Sequence, residues 1–197
     1  MAFPGTNAVH LIEERFWRGV VKKLRYSVAC SLDGYIAGSK GEIDWVVMDP
    51  AIDFTSITSQ FDIVLMGRRT YEHMLAAGQG IIPGMATVVA SNTLDPKVHA
   101  GVTVLSSDLE QKVQNLKSEA GRDIWLFGGG LLASRLIEAN LVDTVEVTIM
   151  PTLLGAGTAL FQGSMKSLTL KAHQAYQTGI VALKYECSGL ETKDRSS

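Results

Sequence analysis

Short apolar runs alternate with helical patterns along the chain from Leu24 onward. Five of these runs have the length and composition of β-strands, and the run that contains Met66 is nearly continuous in apolar residues, as in a strand buried on both faces. Strands that alternate with helices are typical of a mostly parallel sheet. The five predicted strands are Leu24–Cys30, Ile63–Met66, Ala86–Ala90, Val102–Leu105 and Ile124–Phe127.

Three segments between the strands have helical patterns. The clearest begins at Ser107–Glu110, which has the form of a capping box, and it stops before Gly121. The other two predicted helices are Thr70–Ala77 and Leu131–Asn140, and the second of them follows a turn made of three glycines. The prediction thus places two helices directly after buried strands.

After residue 140 the pattern changes. Apolar and polar residues alternate over Thr144–Ile149, and the runs Leu168–Tyr176 and Ile180–Tyr185 flank the turn residues Thr178-Gly179. These features predict a strand followed by a hairpin. Together the elements predict an α/β protein with three αβα layers, a mostly parallel central sheet and an antiparallel C-terminal hairpin.

Length and composition indicate one domain. The chain has 197 residues, of which 46% are hydrophobic and 19% charged, enough for a core that needs no disulfide or structural metal. We assign residues 23–187 to this domain, residues 1–22 to an N-terminal arm that is disordered or artefactual, and residues 188–197 to a polar tail. Cys30 and Cys187 show no metal-ligand spacing, so we expect no metal site and a reducing, cytoplasmic compartment.

Charge excludes several kinds of partner. The net charge is −2 and the pI is near 6.1, which argues against a surface that neutralises many phosphates of a nucleic acid. No apolar window approaches the ~20 residues of a membrane span. Charges such as Glu13 and Arg15 within the arm are unlike a signal peptide. We therefore expect neither nucleic-acid nor membrane binding, and a small molecule as the partner.

Three loops at predicted strand ends carry small, polar or basic residues, and ligands bind at such ends in open α/β sheets. Gly67-Arg68-Arg69-Thr70 joins two guanidinium groups to a helix N-terminus, which favours an anion. Ser91-Asn92-Thr93 offers donors for a ribose or its phosphate, although such residues are common in plain turns. Phe127-Gly128-Gly129-Gly130 leads into Leu131 and lets a ligand approach the backbone. Together, the three loops predict a cleft that binds a dinucleotide.

Catalytic signals are sparse. No Gly-x-Ser-x-Gly or His-Glu-x-x-His pattern occurs, and the four histidines stand in unrelated contexts. A carboxyl buried among apolar neighbours could serve as a proton donor. Asp53, between Ile52 and Phe54, is the better candidate, whereas Asp33 is more typical of a turn residue.

With these segments aligned, the chain resembles the dihydrofolate reductase superfamily. Within it, the chain is similar to the reductase domain of the bifunctional riboflavin-biosynthesis deaminase-reductase. The resemblance spans about Leu24 to Glu186. It rests on Ser31-Leu32-Asp33-Gly34-Tyr35-Ile36-Ala37, Met66-Gly67-Arg68-Arg69-Thr70-Tyr71-Glu72, Phe127-Gly128-Gly129-Gly130, and Leu141-Val142-Asp143 leading to Pro151-Thr152-Leu153-Leu154-Gly155.

The resemblance implies an NADPH-dependent reductase with a bound cofactor that performs the hydride chemistry. It implies that Arg68, Arg69 and Thr70 hold the 2′-phosphate and pyrophosphate, and that Ser91 and Asn92 flank the adenosine. The three glycines would pass under the pyrophosphate and nicotinamide ribose, with a cis peptide between Gly128 and Gly129. Ala29 and Ile36 would meet the carboxamide through their backbone. Gly67, Phe127 and Leu131 complete the predicted cofactor set.

The substrate side departs from both relatives. No Lys or Arg occurs between Trp45 and Phe61, where the riboflavin-pathway reductase usually has arginines for a ribose phosphate, and the zinc deaminase signature is absent. The leading hypothesis is reduction of a small substrate, with the ribosylaminopyrimidine reduction of riboflavin synthesis as the nearest named reaction. The alternatives are dihydrofolate reduction, which Asp53 would have to support, and a non-catalytic NADP-binding protein. We also expect a homodimer, with the apolar segment Val145–Leu154 as its surface.

Overall fold

The structure is a computed structural model that describes residues 21–187, and these residues form ten strands and four helices. The strands are β1 (Leu24–Ser31), β2 (Tyr35–Ala37), β3 (Phe61–Gly67), β4 (Ala86–Ala90), β5 (Val102–Leu105), β6 (Asp123–Gly128), β7 (Thr144–Met150), β8 (Thr158–Ala159), β9 (Thr169–Ala175) and β10 (Val181–Glu186). The helices are α1 (Phe54–Thr58), α2 (Arg68–Ala76), α3 (Leu109–Ser118) and α4 (Gly130–Glu138).

Eight strands form the central sheet in the order β5-β4-β3-β6-β1-β7-β10-β9, and β2 pairs with β8 in a separate ribbon. The pairs among β5, β4, β3, β6, β1 and β7 are parallel, whereas β10 is antiparallel to both β7 and β9. The predicted mostly parallel sheet with an antiparallel C-terminal hairpin is confirmed.

Helices cover both faces of the sheet because the buried strands are apolar on both faces. On one face, Leu65 and Leu126 pack with Val113 of α3 and Leu136 of α4. On the other face, Val64, Met66 and Val89 pack with Tyr71 of α2. The parallel strands thus lie inside an αβα sandwich, and their carboxyl ends meet at one edge.

Three local expectations for the helices are wrong. The predicted helix Thr70–Ala77 begins two residues earlier, at Arg68, and ends at Ala76. Asp108 precedes α3 with φ 49°, and its side chain makes no capping hydrogen bond, so the capping box does not form. The predicted helix at Leu131 begins one residue earlier, at Gly130, and ends at Glu138. The pattern also missed β2, β8 and α1, which have three, two and five residues and are too short to show a period.

The predicted N-terminal boundary also shifts. Residues 1–20 of the predicted arm and the predicted tail 188–197 lie outside the described residues. Lys22, which we placed in the arm, is buried, and its Nζ donates to Asp62 Oδ1 at 2.9 Å. Lys22 therefore belongs to the folded domain.

The predicted dimer surface is wrong in one respect. Val145 and Val147 lie in β7, which is paired on one side with β1 and on the other with β10, so this strand offers no free edge. All seven residues of the edge strand β9 are exposed. The homodimer itself stays a prediction, and β9 is the edge at which to look for it. Among the described residues, no helix is long and apolar enough to span a membrane.

Candidate active site

Two helix N-termini lie side by side at the carboxyl edge of the sheet. Helix α2 follows β3 directly and α4 follows β6, and these strands are neighbours, with Met66 opposite Gly128. The N-cap residues are Gly67 and Gly129, so no side chain caps either helix. The N–H groups of both first turns point out of the helices without side-chain partners, and the two helix dipoles favour an anion there.

Arg68 connects the first of these helices to the loop after β4. Gly67 lies opposite Ala90 in the sheet, and Arg68 Nη1 donates to Thr93 Oγ1 while its Nε donates to Glu72 Oε1 at 2.8 Å. The Ser91-Asn92-Thr93 loop therefore lies beside the start of α2. The three loops predicted from the sequence are neighbours along one edge of the sheet.

The guanidinium of Arg69 differs from that of Arg68. Arg69 is exposed, and among residues 21–187 it makes no hydrogen bond or ion pair. A free guanidinium at a helix N-terminus can bind a phosphate in a bidentate way without first breaking an existing bond.

Ser91 and Asn92 have different roles in their loop. The Ser91 hydroxyl accepts the N–H groups of Thr93 and Leu94, at 3.2 and 3.0 Å, and so shapes the turn. Asn92 is exposed at the tip of this turn. Of this predicted pair, Asn92 has the side chain that is free to contact a ligand.

The glycines after β6 serve different purposes. A Cβ added to Gly130 would lie 2.2 Å from the carbonyl oxygen of Ala159, so this position needs glycine for packing. A Cβ added to Gly129 would meet Thr70 Oγ1 at 3.5 Å, an ordinary contact. The fold would therefore tolerate a Cβ at Gly129 without a clash, in contact with Thr70 alone. The predicted cis peptide between Gly128 and Gly129 is wrong, because every peptide bond of the described residues is trans.

Strands β1 and β6 separate beside this glycine segment, and we call the gap between them the crevice. Their ladder ends at the pair Tyr26 and Leu126, although β1 continues beside β7 as far as Ser31. Trp125, which is buried, donates its indole N–H to the Ser27 carbonyl oxygen at 2.8 Å, just beyond the end of the ladder. Ala29 lies two residues further along β1, on the wall of the crevice.

Ile36 is held beside β1 by the β2–β8 ribbon. Asp33 anchors this ribbon, because its carboxylate accepts the N–H groups of Leu154 and Gly155 and the Ser31 hydroxyl, the last at 2.6 Å. The Ser31 bond, together with these backbone bonds, lowers the pKa of Asp33. Asp33 is thus the turn residue that the sequence indicated.

The segment after β2 reaches across to α2. It folds tightly on itself, with the Gly38 N–H donating to the Glu42 carbonyl oxygen at 2.9 Å. A Cβ added to Gly41 would lie 2.6 Å from Cε1 of His73, so the tip of this segment touches α2. The segment crosses from the β2 side of the crevice to the side that bears Arg68 and Arg69.

Asp53 is not the buried carboxyl that we expected. It is exposed and is the N-cap of α1, where its Oδ1 accepts the Ser56 N–H at 2.9 Å. Asp49 is the buried carboxylate of this region, and it accepts the Thr178 hydroxyl at 2.7 Å from the turn of the β9–β10 hairpin. The Thr178 bond lowers the pKa of Asp49, which therefore stays ionised.

Glu146 is a second carboxylate of this face, which the sequence analysis missed. It lies opposite Ser27, and it accepts two bonds from Arg25, at 2.8 and 2.7 Å, and one from Lys184 at 2.9 Å. Burial raises the pKa of Glu146, but the bonds to Arg25 and Lys184 outweigh burial and lower it. Glu146 was recognisable as a polar position of the alternating strand, yet only the sheet brings Arg25 and Lys184 to it.

The sequence profile of the RibD C-terminal domain matches residues 22–182. The chain belongs to this family. The uncharacterized protein YyaP of Bacillus subtilis (strain 168) is 30% identical over 185 residues, which cover 85% of this chain and 96% of YyaP. A protein of Shewanella sp. PV-4 provisionally assigned to riboflavin biosynthesis is 25% identical, with a TM-score of 0.74 and coverage of 85% of this chain and 99% of that one.

A more distantly related enzyme has the same fold. Dihydrofolate reductase from Enterococcus faecalis, solved as a complex with NADP(H) and RAB-propyl, has a TM-score of 0.65 over 85% of this chain and 97% of that chain, at 19% identity. This likeness shows the dihydrofolate reductase-like fold. Membership of the RibD C-terminal domain family supports a reductase-type function, and hence an oxidoreductase.

In this RibD-type domain the remaining predicted cofactor residues also lie at the carboxyl edge. Phe127 packs edge-on against Trp125, with ring centroids 5.0 Å apart. Leu131, in the first turn of α4, is 68% exposed. Thr70 Oγ1 accepts the Gly129 N–H at 3.2 Å and so joins the two helix starts.

Proposed function

We propose that the protein is an NADPH-dependent reductase of a small substrate. The nearest named reaction is the reduction of 5-amino-6-(5-phosphoribosylamino)uracil in riboflavin biosynthesis. The observation that carries the proposal is the pair of helix N-termini of α2 and α4, which have no side-chain cap and lie side by side at the carboxyl edge of the sheet. Such a pair suits a pyrophosphate, and the adjoining crevice suits a flat ring.

The residues present fit this cofactor. The first turns of α2 and α4 would hold the pyrophosphate, and Arg69 and Arg68 the 2′-phosphate. Asn92 would flank the adenosine, with Ser91 shaping its turn. A bare 2′-hydroxyl would leave the free Arg69 guanidinium without a partner, which favours NADPH over NADH. Ala29 and Ile36 would meet the carboxamide through their backbone.

NADPH, when bound, supplies the hydride. The chain then has to orient the two reactants and exclude water. Strand β1 at Ala29 and the glycine segment form the walls of the crevice, and the tip at Gly41 bridges its two sides. Burial, aided by the nearby Asp33 carboxylate, raises the pKa of the Cys30 thiol to about 11, so Cys30 stays protonated and is no nucleophile.

Asp53 is our proposed proton donor for a substrate that needs one. Glu146 and Asp49 are held ionised by their hydrogen bonds, which makes them poor donors. Asp53 is exposed, so solvent can return a proton to it after each turnover. This argument rests on exposure and not on the burial that the sequence suggested.

Titration of the purified protein with NADPH and NADH, followed by nicotinamide fluorescence, tests the proposal. We expect micromolar binding that is selective for NADPH, and oxidation of NADPH with one member of a panel of pyrimidine, pterin and carbonyl substrates. Absence of binding by either nucleotide would overturn the cofactor site. Tight binding without oxidation by any substrate would favour the non-catalytic NADP-binding protein instead.

Dihydrofolate reduction is the second candidate, favoured by the fold shared with the E. faecalis enzyme, and Asp53 would have to donate its proton. Rescue of a strain that lacks its own dihydrofolate reductase tests it. The first candidate predicts no rescue.

A further inference from the structure

A cavity of about 360 Å³ lies at the edge of the sheet opposite the cofactor crevice. Its lining residues stand where β1, β3 and β6 begin, whereas the crevice lies where these strands end. A strand of seven residues such as β3 separates the two edges by roughly 20 Å. The lining residues are Arg25, Ser59, Gln60, Arg122 and Asp123.

The carbonyl and carboxylate oxygen atoms of three lining residues already accept hydrogen bonds within the protein. The Ser59 carbonyl oxygen accepts from Arg122 Nη1 at 2.8 Å, and Gln60 Oε1 accepts from Arg25 Nη1 at 2.7 Å. Asp123 accepts the Lys23 N–H at 2.9 Å through Oδ1 and Arg25 Nη1 at 3.3 Å through Oδ2. Few acceptors are left to bind a cation or a donor-rich ligand.

By contrast, some hydrogen-bond donors beside the cavity are not used within the protein. A guanidinium has five N–H bonds, and within the described part of the chain the Arg122 group uses Nη1 alone, on the Ser59 carbonyl. It has no acidic partner in residues 21–187, whereas Arg25 is paired with Glu146 and Asp123. Arg122 therefore carries an unbalanced positive charge beside the cavity.

The second guanidinium is fixed in place. Arg25 is buried, and its Cζ lies 4.6 Å from the centroid of the Phe61 ring. Its two bonds to Glu146 and its bonds to Gln60 and Asp123 hold it in one orientation. Arg25 thus forms a preorganised wall of the cavity whose charge is balanced by Glu146 and Asp123, and such a fixed wall lowers the entropic cost of binding.

Aromatic side chains separate this cavity from the crevice. Trp125 lies opposite Arg25 in the sheet, and its indole reaches Ser27, which lies on the path toward Ala29. The Phe61 ring stacks on Trp125 at 5.5 Å, and the Phe54 ring meets it edge-on at 6.2 Å. A ligand in the cavity is therefore distinct from a ring bound in the crevice.

We propose that this cavity binds a small anion through a phosphate or carboxylate group, and that this ligand is not the nicotinamide cofactor. Arg122 would form two charge-assisted hydrogen bonds with the anion, and the fixed Arg25 side chain would form one wall of its site. The proposal does not depend on the reductase activity.

Titration with inorganic phosphate, followed by the backbone amide resonances in ¹⁵N-labelled protein, tests this site. We expect saturable shifts at Gln60, Arg122 and Asp123 with a millimolar midpoint. Arg122→Gln should raise the midpoint about tenfold or more, the effect of losing a charge-assisted hydrogen bond. Gln60→Glu should also raise the midpoint, because it adds a negative charge to the cavity while keeping the acceptor for Arg25.

Arg135→Gln is the matched control, because Arg135 is an exposed arginine that pairs with Glu110 outside the cavity, and it should leave the midpoint unchanged. Saturating NADPH should shift the midpoint less than twofold if the ligands are separate. Unsaturable shifts, insensitivity to both cavity variants, or shifts confined to Thr70 and Gly129 would overturn the proposal. Competition with NADPH would assign the phosphate to the cofactor site, also against the proposal.

Discussion

The indole N–H of Trp125 donates a 2.8 Å hydrogen bond to the carbonyl oxygen of Ser27, at the point where β1 and β6 separate. Two parallel strands that part inside a protein leave backbone groups without ladder partners, and unpaired buried groups are costly. The Trp125 side chain replaces the missing partner. The crevice beside Ala29 can therefore open without leaving this carbonyl unsatisfied.

Trp125→Phe should lower the free energy of unfolding by about 1–3 kcal/mol, because the Ser27 carbonyl would lose its donor in a half-buried position. The phenyl ring preserves the contacts with Phe61 and Phe127. Urea unfolding measures the change. Trp45→Phe is the control, since the Trp45 N–H bonds the Glu42 carbonyl in an exposed loop, and it should cost no more than about 0.5 kcal/mol. Equal losses in both variants would contradict this role.

Alanine should have opposite effects at two adjacent glycines. Gly130→Ala should lower stability by about 2–4 kcal/mol, because its Cβ would overlap the Ala159 carbonyl oxygen. Gly129→Ala should change stability by no more than about 1 kcal/mol, the scale of an N-cap substitution. It should nevertheless weaken NADPH more than about tenfold, because the methyl group fills the space left for the pyrophosphate. Thermal unfolding and fluorescence titration distinguish the two outcomes.

Arg69→Gln should weaken NADPH about tenfold to a hundredfold and NADH by less than threefold, because a guanidinium that pairs with the 2′-phosphate has no such partner in NADH. Arg68→Gln should weaken NADPH less, since the Arg68 group already bonds Glu72 and Thr93. Parallel titrations with both nucleotides measure the selectivity. The same loss for NADPH and NADH would refute the assignment of Arg69 to the 2′-phosphate.

Glu146→Gln should destabilise the protein by about 3 kcal/mol at neutral pH, because it removes the charge that Arg25 and Lys184 share. The pKa of Glu146 in the folded protein lies below its ordinary value of 4.5. Its contribution to stability is thus fully present above pH 4.5 and is lost as the pH falls through the folded pKa. Urea unfolding of both proteins from pH 7 to pH 3 should show the difference shrinking below pH 4.5.

The exposed pair of Glu110 and Arg135 provides a control for that measurement. Glu110→Gln should change stability too little to resolve, because solvent screens this pair. A pH-independent loss in Glu146→Gln would mean that the carboxylate acts through packing and not through its charge.

Asp53→Asn separates capping from proton donation. Asparagine caps helices as well as aspartate does, so stability and NADPH affinity should stay within error. If Asp53 donates the proton, turnover of the substrate identified in the panel should fall about a hundredfold. Unchanged turnover would leave Asp53 the N-cap of α1 and nothing more.

Much of the carboxyl edge of the sheet was predictable, because it follows from the local pattern of apolar residues and glycines. Buried parallel strands are apolar on both faces, so β3, β4, β5 and β6 were recognisable, and the loops at Gly67 and Gly128 follow them in the chain. Parallel strands end at a common edge, so the sequence placed both loops together. The substrate side was less predictable, because Asp53 lies beside apolar residues in the chain and yet is exposed.

The sequence by itself determined the αβα layering and the buried strands that α2 and α4 follow, because periodicity and glycine placement act over a few residues. Tertiary structure alone decided where β1 and β6 separate and that Trp125 pairs with Ser27 there. It also decided that Gly130 has no room for a Cβ, whereas Gly129 has room for one. Contacts of this kind join residues that are far apart in the chain, 98 positions for Trp125 and Ser27. A local pattern carries no information about which distant group fills or leaves a given space.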